Sequence, residues 1–142
     1  MAELNCQIVR PDRLLFEGPV GHVILVTRTG ELGVWPGHAS EICALGEGIV
    51  RLAELHEGIE GDELRFVVSG GYAEITPTHV IVLADHARRS DDIEPDVVRD
   101  TRERAFDEMA KYPEGDHRRA YYEEKIKWCN LLLKQVTKAA EA

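Results

Sequence analysis

The apolar residues of this chain recur at every second position before Asp85 and at every third or fourth position after it. A two-residue period suits strands and a 3.6-residue period suits helices, so one chain has to build two kinds of unit. Upstream, Leu4, Cys6 and Ile8 alternate with Asn5 and Gln7, and Leu64, Phe66 and Val68 alternate with Glu63 and Arg65. Val20 to Val26 is rich in β-branched residues and is entered through Gly18-Pro19. Val80 to Leu83 is continuously apolar, as expected of a strand buried on both faces. Turn-forming residues separate these runs at Thr29-Gly30, Pro36-Gly37, Gly46-Glu47-Gly48, Gly58 to Asp62, Gly70-Gly71 and Thr76-Pro77. Short strands punctuated in this way predict a mostly β domain over residues 1–86, a sandwich or a barrel.

His86 to Glu94 is polar, and residues 87–94 read as a linker. Pro95 then suits the first turn of a helix, with Glu94, Asp96 and Asp100 favouring its positive end. The helical pattern runs to about Tyr112, where Pro113-Glu114-Gly115 breaks it and Asp116 can cap a second helix. So short a break predicts an antiparallel helical hairpin over residues 95–142. The second helix carries a heptad-spaced seam of Tyr122, Ile126, Cys129, Leu133, Val136 and Ala140. Val98, Ala105, Met109 and Tyr112 answer it on the first helix, interrupted by Arg102. Phe106, Trp128, Leu131 and Leu132 fall off the seam and call for a second surface to cover them.

Charge narrows the function classes. The net charge is −9, and residues 1–86 hold five Arg and no Lys against thirteen Asp and Glu. Nucleic-acid binding requires clustered positive charge, and this front half is acidic. The first Lys is Lys111, and the mixed-charge tail reads as solvated helices. No apolar run approaches the roughly 20 residues needed to span a bilayer, and the start of the chain has neither the basic region nor the apolar core of a signal peptide. Direct membrane insertion is therefore not expected. Cys6, Cys43 and Cys129 are far apart and form no CxxC pair, which reads as small buried hydrophobes in a reducing compartment. The six histidines fall into no metal-ligand spacing, and no P-loop, GxSxG or GxGxxG is present. No catalytic residues and no cofactor are expected.

The segment from Gly30 to Ala39 gathers three glycines and a proline around Trp35. By residue type alone it reads as two tight turns around a buried tryptophan, with an exposed contact loop as the alternative.

In order and spacing, Leu15-Phe16-Glu17-Gly18, Gly30-Glu31-Leu32-Gly33, Pro36-Gly37-His38-Ala39, Val68-Ser69-Gly70-Gly71 with Ala73-Glu74, and Val82-Leu83-Ala84-Asp85 resemble the epsilon subunit of rotary F-type ATP synthase. The likeness covers most of the first 86 residues, while the tail matches in layout. It implies a flattened sandwich of two packed antiparallel sheets followed by the helical hairpin. It also implies a non-catalytic place in the central stalk, peripheral on the cytoplasmic face of the bacterial inner membrane, with the gamma subunit and the ring of c subunits as partners. The hairpin would fold against the sandwich, or extend toward the alpha/beta catalytic hexamer and block ATP hydrolysis.

Carried onto this sequence, the resemblance places the ring contact at Gly30, Glu31 and the Pro36-Gly37-His38 turn, with Glu31 facing a cation on the ring. It implies inhibitory contacts by basic side chains of the hairpin, for which Arg102, Arg104, Arg118, Arg119, Lys125 and Lys127 are the candidates. Local pairing with Glu103, Glu123 and Glu124 is the competing role for these residues. An ATP-binding motif of some family members survives here only as Asp96 and Arg99. Pro95 replaces an aliphatic residue, and Asp100 puts a carboxylate where a polyphosphate would sit, so weak or no ATP binding is expected. A generic β-sandwich adaptor with a helical arm for some other partner is the alternative reading.

Overall fold

The computed structural model describes the backbone of residues 3–141 and the side chains of residues 3–136. The backbone divides into two compact units, one up to Asp91 and one from Asp92 onward.

Among the described residues, the first unit has seven strands: β1 (Leu4–Arg10), β2 (Arg13–Thr27), β3 (Gly30–Val34), β4 (Glu41–Ala44), β5 (Glu47–His56), β6 (Ile59–Ile75) and β7 (His79–Arg89). They pair in the order β1-β7-β6-β5-β2-β3, β4 adds to β6, and β1 also pairs with β2. The expected sandwich is present, with a mixed ladder in place of purely antiparallel sheets. β1 runs antiparallel to β2 but parallel to β7, and it joins the two layers by hydrogen bonds. Leu4, Cys6 and Ile8 point inward as their alternation predicts, and with Val23, Leu52 and Phe66 they belong to one buried core. Burying a large apolar side chain contributes about 1.5–3 kcal/mol, so this alternation determines which face of each strand turns inward.

Three expectations need correction. Gly70-Gly71 is not a turn; it is a corner inside β6. Before it β6 pairs with β5 (Ser69 opposite Glu47), and after it with β4 (Tyr72 opposite Ala44). Both glycines have positive φ, and a Cβ on Gly71 would lie 2.0 Å from the Leu83 carbonyl oxygen, so the crossing needs glycine there. Val80 to Leu83 is buried on one face only. Val80 and Val82 lie in the core, whereas Leu83 is 49% exposed. The strand also runs further than its sequence suggests. Ala87, Arg88 and Arg89, assigned to the linker, continue β7 opposite Val68, Val67 and Phe66. Ala87 joins the core, and ladder partners on β6 hold the two arginines in the sheet despite their charge. A 3₁₀ turn at Ser90–Asp92 follows.

The second unit is α1 (Pro95–Met109) and α2 (His117–Glu141). Pro95 opens α1 as expected. Helix α1 ends three residues before the expected Tyr112, and the backbone tightens through Tyr112 N–H to the Met109 carbonyl at 3.1 Å. Asp116 caps α2, its Oδ1 accepting the Arg118 amide at 2.8 Å. Ile126 and Cys129 are buried as the seam predicts, and so are Val98 and Ala105. Leu132, set off the seam by the heptad spacing, is buried, while Leu133 is only half-buried. A helix with 3.6 residues per turn drifts from a strict 3.5 repeat, and the stripe follows the helix. Phe106 stays exposed. The side chain of Ala140 lies outside the described residues.

Candidate interaction surfaces

The candidate contact residues around β3 fall at its two ends. Gly30 and Glu31 form the β2–β3 corner, where Gly30 has φ +128°. Pro36, Gly37 and His38 follow the other end. Glu31 and Pro36 are five residue steps apart, about 17 Å at the usual rise of a strand. The second site is a four-residue turn closed by His38 N–H to the Trp35 carbonyl at 3.2 Å. Pro36 sits at its second position and Gly37, with φ +89°, at its third, the arrangement of a type II turn. The Gly37 amide is tied to the Pro77 carbonyl at 2.8 Å, so the turn is braced by the β6–β7 loop. His38 reaches Glu41 at 3.7 Å. At the first site the Glu31 carboxylate already has a partner in the chain, Arg51 at 2.8 Å, and Arg51 also stands 3.8 Å from Glu63.

Trp35 is not buried. It is 54% exposed, because Val34 takes the core position and the next residue turns outward. Its ring lies back across Gly33 and stacks on His22 at 5.0 Å.

An apolar stripe that sequence patterning did not reveal crosses the outer face of the sandwich. Ala44, Tyr72, Leu83, Val9 and Leu14 are successive register partners on β4, β6, β7, β1 and β2. Five strands span about 19 Å in the hydrogen-bonding direction. Tyr72 is 59% exposed and Leu14 is 48% exposed. The adjoining row is Ile42, Glu74, Ile81 and Gln7, with Ile42 72% exposed. Each residue alone is an ordinary exposed apolar group; their alignment makes a patch, and a patch of this kind marks a protein contact. The signal was available only through register, since the five residues are spread from Val9 to Leu83 and only Val9 and Leu14 are near one another in sequence.

On the hairpin, most of the basic candidates are engaged locally. Arg102 donates to Asn130 Oδ1 at 2.9 Å across the two helices. Arg104 pairs with Asp100 at 2.7 Å. Arg118 holds Asp116 with two guanidinium contacts and lies 4.5 Å over the Tyr112 ring. These bonds and the Arg118 amide pull the Asp116 carboxyl down to about 2. Arg119 pairs with Glu123 at 3.3 Å and donates to the carbonyls of Met109 and Tyr112. Lys125 sits 5.8 Å over the Tyr121 ring, and Lys127 is exposed. Asp96 and Arg99 pair with each other at 2.9 Å. Among the thiols, Cys6 is buried, which pushes its pKa up to about 12, and Cys43 is half-buried and raised by burial and by Glu41. Among the described residues no helix is long and apolar enough to cross a membrane.

Residues 3–90 match the family described as ATP synthase, Delta/Epsilon chain, beta-sandwich domain. The ATP synthase epsilon chain of Moorella thermoacetica is 39% identical over 115 residues, covering 81% of this chain and 83% of its own length. That of Hyphomonas neptunium is 35% identical over 128 residues, covering 89% and 90%. Among solved structures, a chain of the Euglena gracilis mitochondrial ATP synthase, OSCP/F1/c-ring, is similar over 100% of this chain and 83% of its own, with a TM-score of 0.63 and 25% identity. A chain of the Tetrahymena thermophila mitochondrial ATP synthase central stalk and c-ring shares the fold, with a TM-score of 0.53 at 12% identity over 94% of this chain and 96% of its own. The match across the whole β unit, with relatives that extend well into the hairpin, means that this chain belongs to the ATP synthase epsilon chain family.

Proposed function

We propose that the chain is a non-catalytic central-stalk subunit that holds the gamma subunit and the c ring through its β unit and restrains ATP hydrolysis through its hairpin. The observation that carries this reading is the apolar stripe from Ala44 to Leu14. It is broad, exposed and built on rigid strands, as a permanent protein contact requires. We assign it to gamma, the rotor shaft with which such a subunit must turn.

The two ends of β3 are assigned to the ring. Because they stand about 17 Å apart along the strand, they serve as two separate contacts. Glu31 is already neutralised by Arg51, so a cation on the ring has to share or displace that partner. Charge pairing there contributes to orientation more than to affinity. The hairpin is the moving part, with Phe106 exposed for a second surface and Lys127 exposed toward the acidic segments of the catalytic hexamer. The mutual pair of Asp96 and Arg99 supports weak ATP binding, since a nucleotide would have to part them. The location that follows is peripheral, on the cytoplasmic face of the membrane.

Truncation after Asp91, followed by ATP hydrolysis in the assembled complex, tests the regulatory half. A clear rise in hydrolysis is expected. Unchanged hydrolysis would leave the hairpin without an inhibitory role.

A further inference from the structure

Trp35 lies in a row of three side chains. Its indole stacks on the His22 imidazole with centroids 5.0 Å apart and planes inclined by 19°. His22 Nδ1 in turn lies 3.0 Å from Glu60 Oε1. Two glycines leave the space this row occupies. A Cβ on Gly33 would come 2.4 Å from Trp35 Cζ3, and one on Gly21 would come 2.6 Å from Glu60 Oε1. The backbone of β2 and β3 is thus shaped to admit a carboxylate, an imidazole and an indole side by side.

We infer that this row is a proton-operated clasp on the Trp35–His38 turn. Trp35 is the first residue of that turn, and its carbonyl closes it. A neutral imidazole gives Glu60 at most one N–H and presents an uncharged ring to the indole. A protonated one makes an ion pair with Glu60 and sets a cation against the Trp35 π face. The ion pair fixes the imidazole in place and the cation attracts the indole face, so the turn that follows is held more firmly in acid than in base.

On the neighbouring strand β5, the two charged side chains nearest this stretch of β2 have partners of their own. On β5, Arg51 stands opposite Ile24 and is held by Glu31 of β3 and Glu63 of β6. Also on β5, Glu54 stands opposite Val20 and pairs with His56 at 3.3 Å. Glu60, on β6, is the carboxylate in direct contact with the imidazole. The clasp is a property of the β unit alone, and it stands whether or not the stalk assignment does.

The test uses the full chain carrying Trp128→Phe, so that Trp35 is the single tryptophan. Acrylamide quenching of its emission is followed across the range in which imidazoles titrate. A cation–π contact of ordinary strength corresponds to a quenching constant about two- to fivefold lower on the acid side, in one single-proton transition. His22→Gln should abolish the transition with far-UV circular dichroism unchanged. Glu60→Gln should reduce its amplitude. A transition that persists in His22→Gln would trace to another group and overturn the clasp, as would a flat profile in the Trp35-only chain. Should His22→Gln fail to fold, an amplitude unaltered by Glu60→Gln would overturn it equally.

Discussion

Arg119, in the first turn of α2, donates to the carbonyl oxygen of Tyr112 at 2.9 Å, so the turn that leaves α1 is tied to the helix that follows it. A second bond reaches the Met109 carbonyl at 3.4 Å. The last carbonyls of a helix have no partner within it, and a cation there also meets the negative end of the dipole. The hairpin is closed by its own second helix.

Arg119→Ala should therefore lower the stability of the hairpin by about 1–2 kcal/mol. Denaturant unfolding followed by far-UV circular dichroism should show an earlier helical transition, with the β transition unmoved. Arg119→Lys should restore only part of the loss, because an ammonium cannot reproduce the guanidinium fork.

Asp116 adds a pH dependence with a fixed sign. Its carboxyl is held at about 2, below the ordinary 3.8, chiefly by the Arg118 guanidinium and then by the Arg118 amide. The folded hairpin binds the ionised form more tightly than the unfolded chain does. The stabilisation is therefore complete above pH 4 or so and is lost as the pH falls toward 2. An acid titration of hairpin helicity should show this limb, and Asp116→Asn should flatten it. An identical acid limb in the variant would assign the effect to other carboxylates.

Gly71→Ala should be far more damaging than its size suggests. The new methyl would meet the Leu83 carbonyl at 2.0 Å with φ at +101°. Loss of soluble folded β domain is expected, or destabilisation of more than about 4 kcal/mol, at the rare end for single substitutions. Gly58→Ala, where φ is +78° and nothing lies within 4 Å, should be tolerated at about 1–2 kcal/mol. Thermal unfolding of the two variants side by side checks the contrast.

The parts of this molecule that depend on local period were legible in the sequence. Alternation from Leu4 to Ile8 marked a strand and its inward face, and Pro95 and Asp116 marked two helix starts. What depends on pairing was not legible. The corner at Gly70-Gly71 has the same residues as a turn, and only the partners Glu47 and Ala44 on either side reveal it. Trp35 has the composition of a core residue, but Val34 fills the core position and leaves the indole outside. The stripe from Ala44 to Leu14 is assembled by register across five strands, so no window of sequence contains it. The basic residues of the hairpin can be named from the sequence, but their local partners Asn130, Asp100, Asp116 and Glu123 are set by the folded helices.

Docking of the β unit on gamma is assigned to the Ala44–Leu14 stripe. Its most direct measurement is the affinity of the full chain for the purified gamma subunit, for the wild type and for Tyr72→Asp/Leu83→Asp. Both residues face outward, so the core remains intact. Placing two carboxylates in a desolvated contact should cost at least about 3 kcal/mol, a loss of 100-fold or more. Tight wild-type binding and that loss are expected, with circular dichroism unchanged. A wild-type chain that fails to bind gamma, or a double variant that binds it as tightly as the wild type, would contradict it.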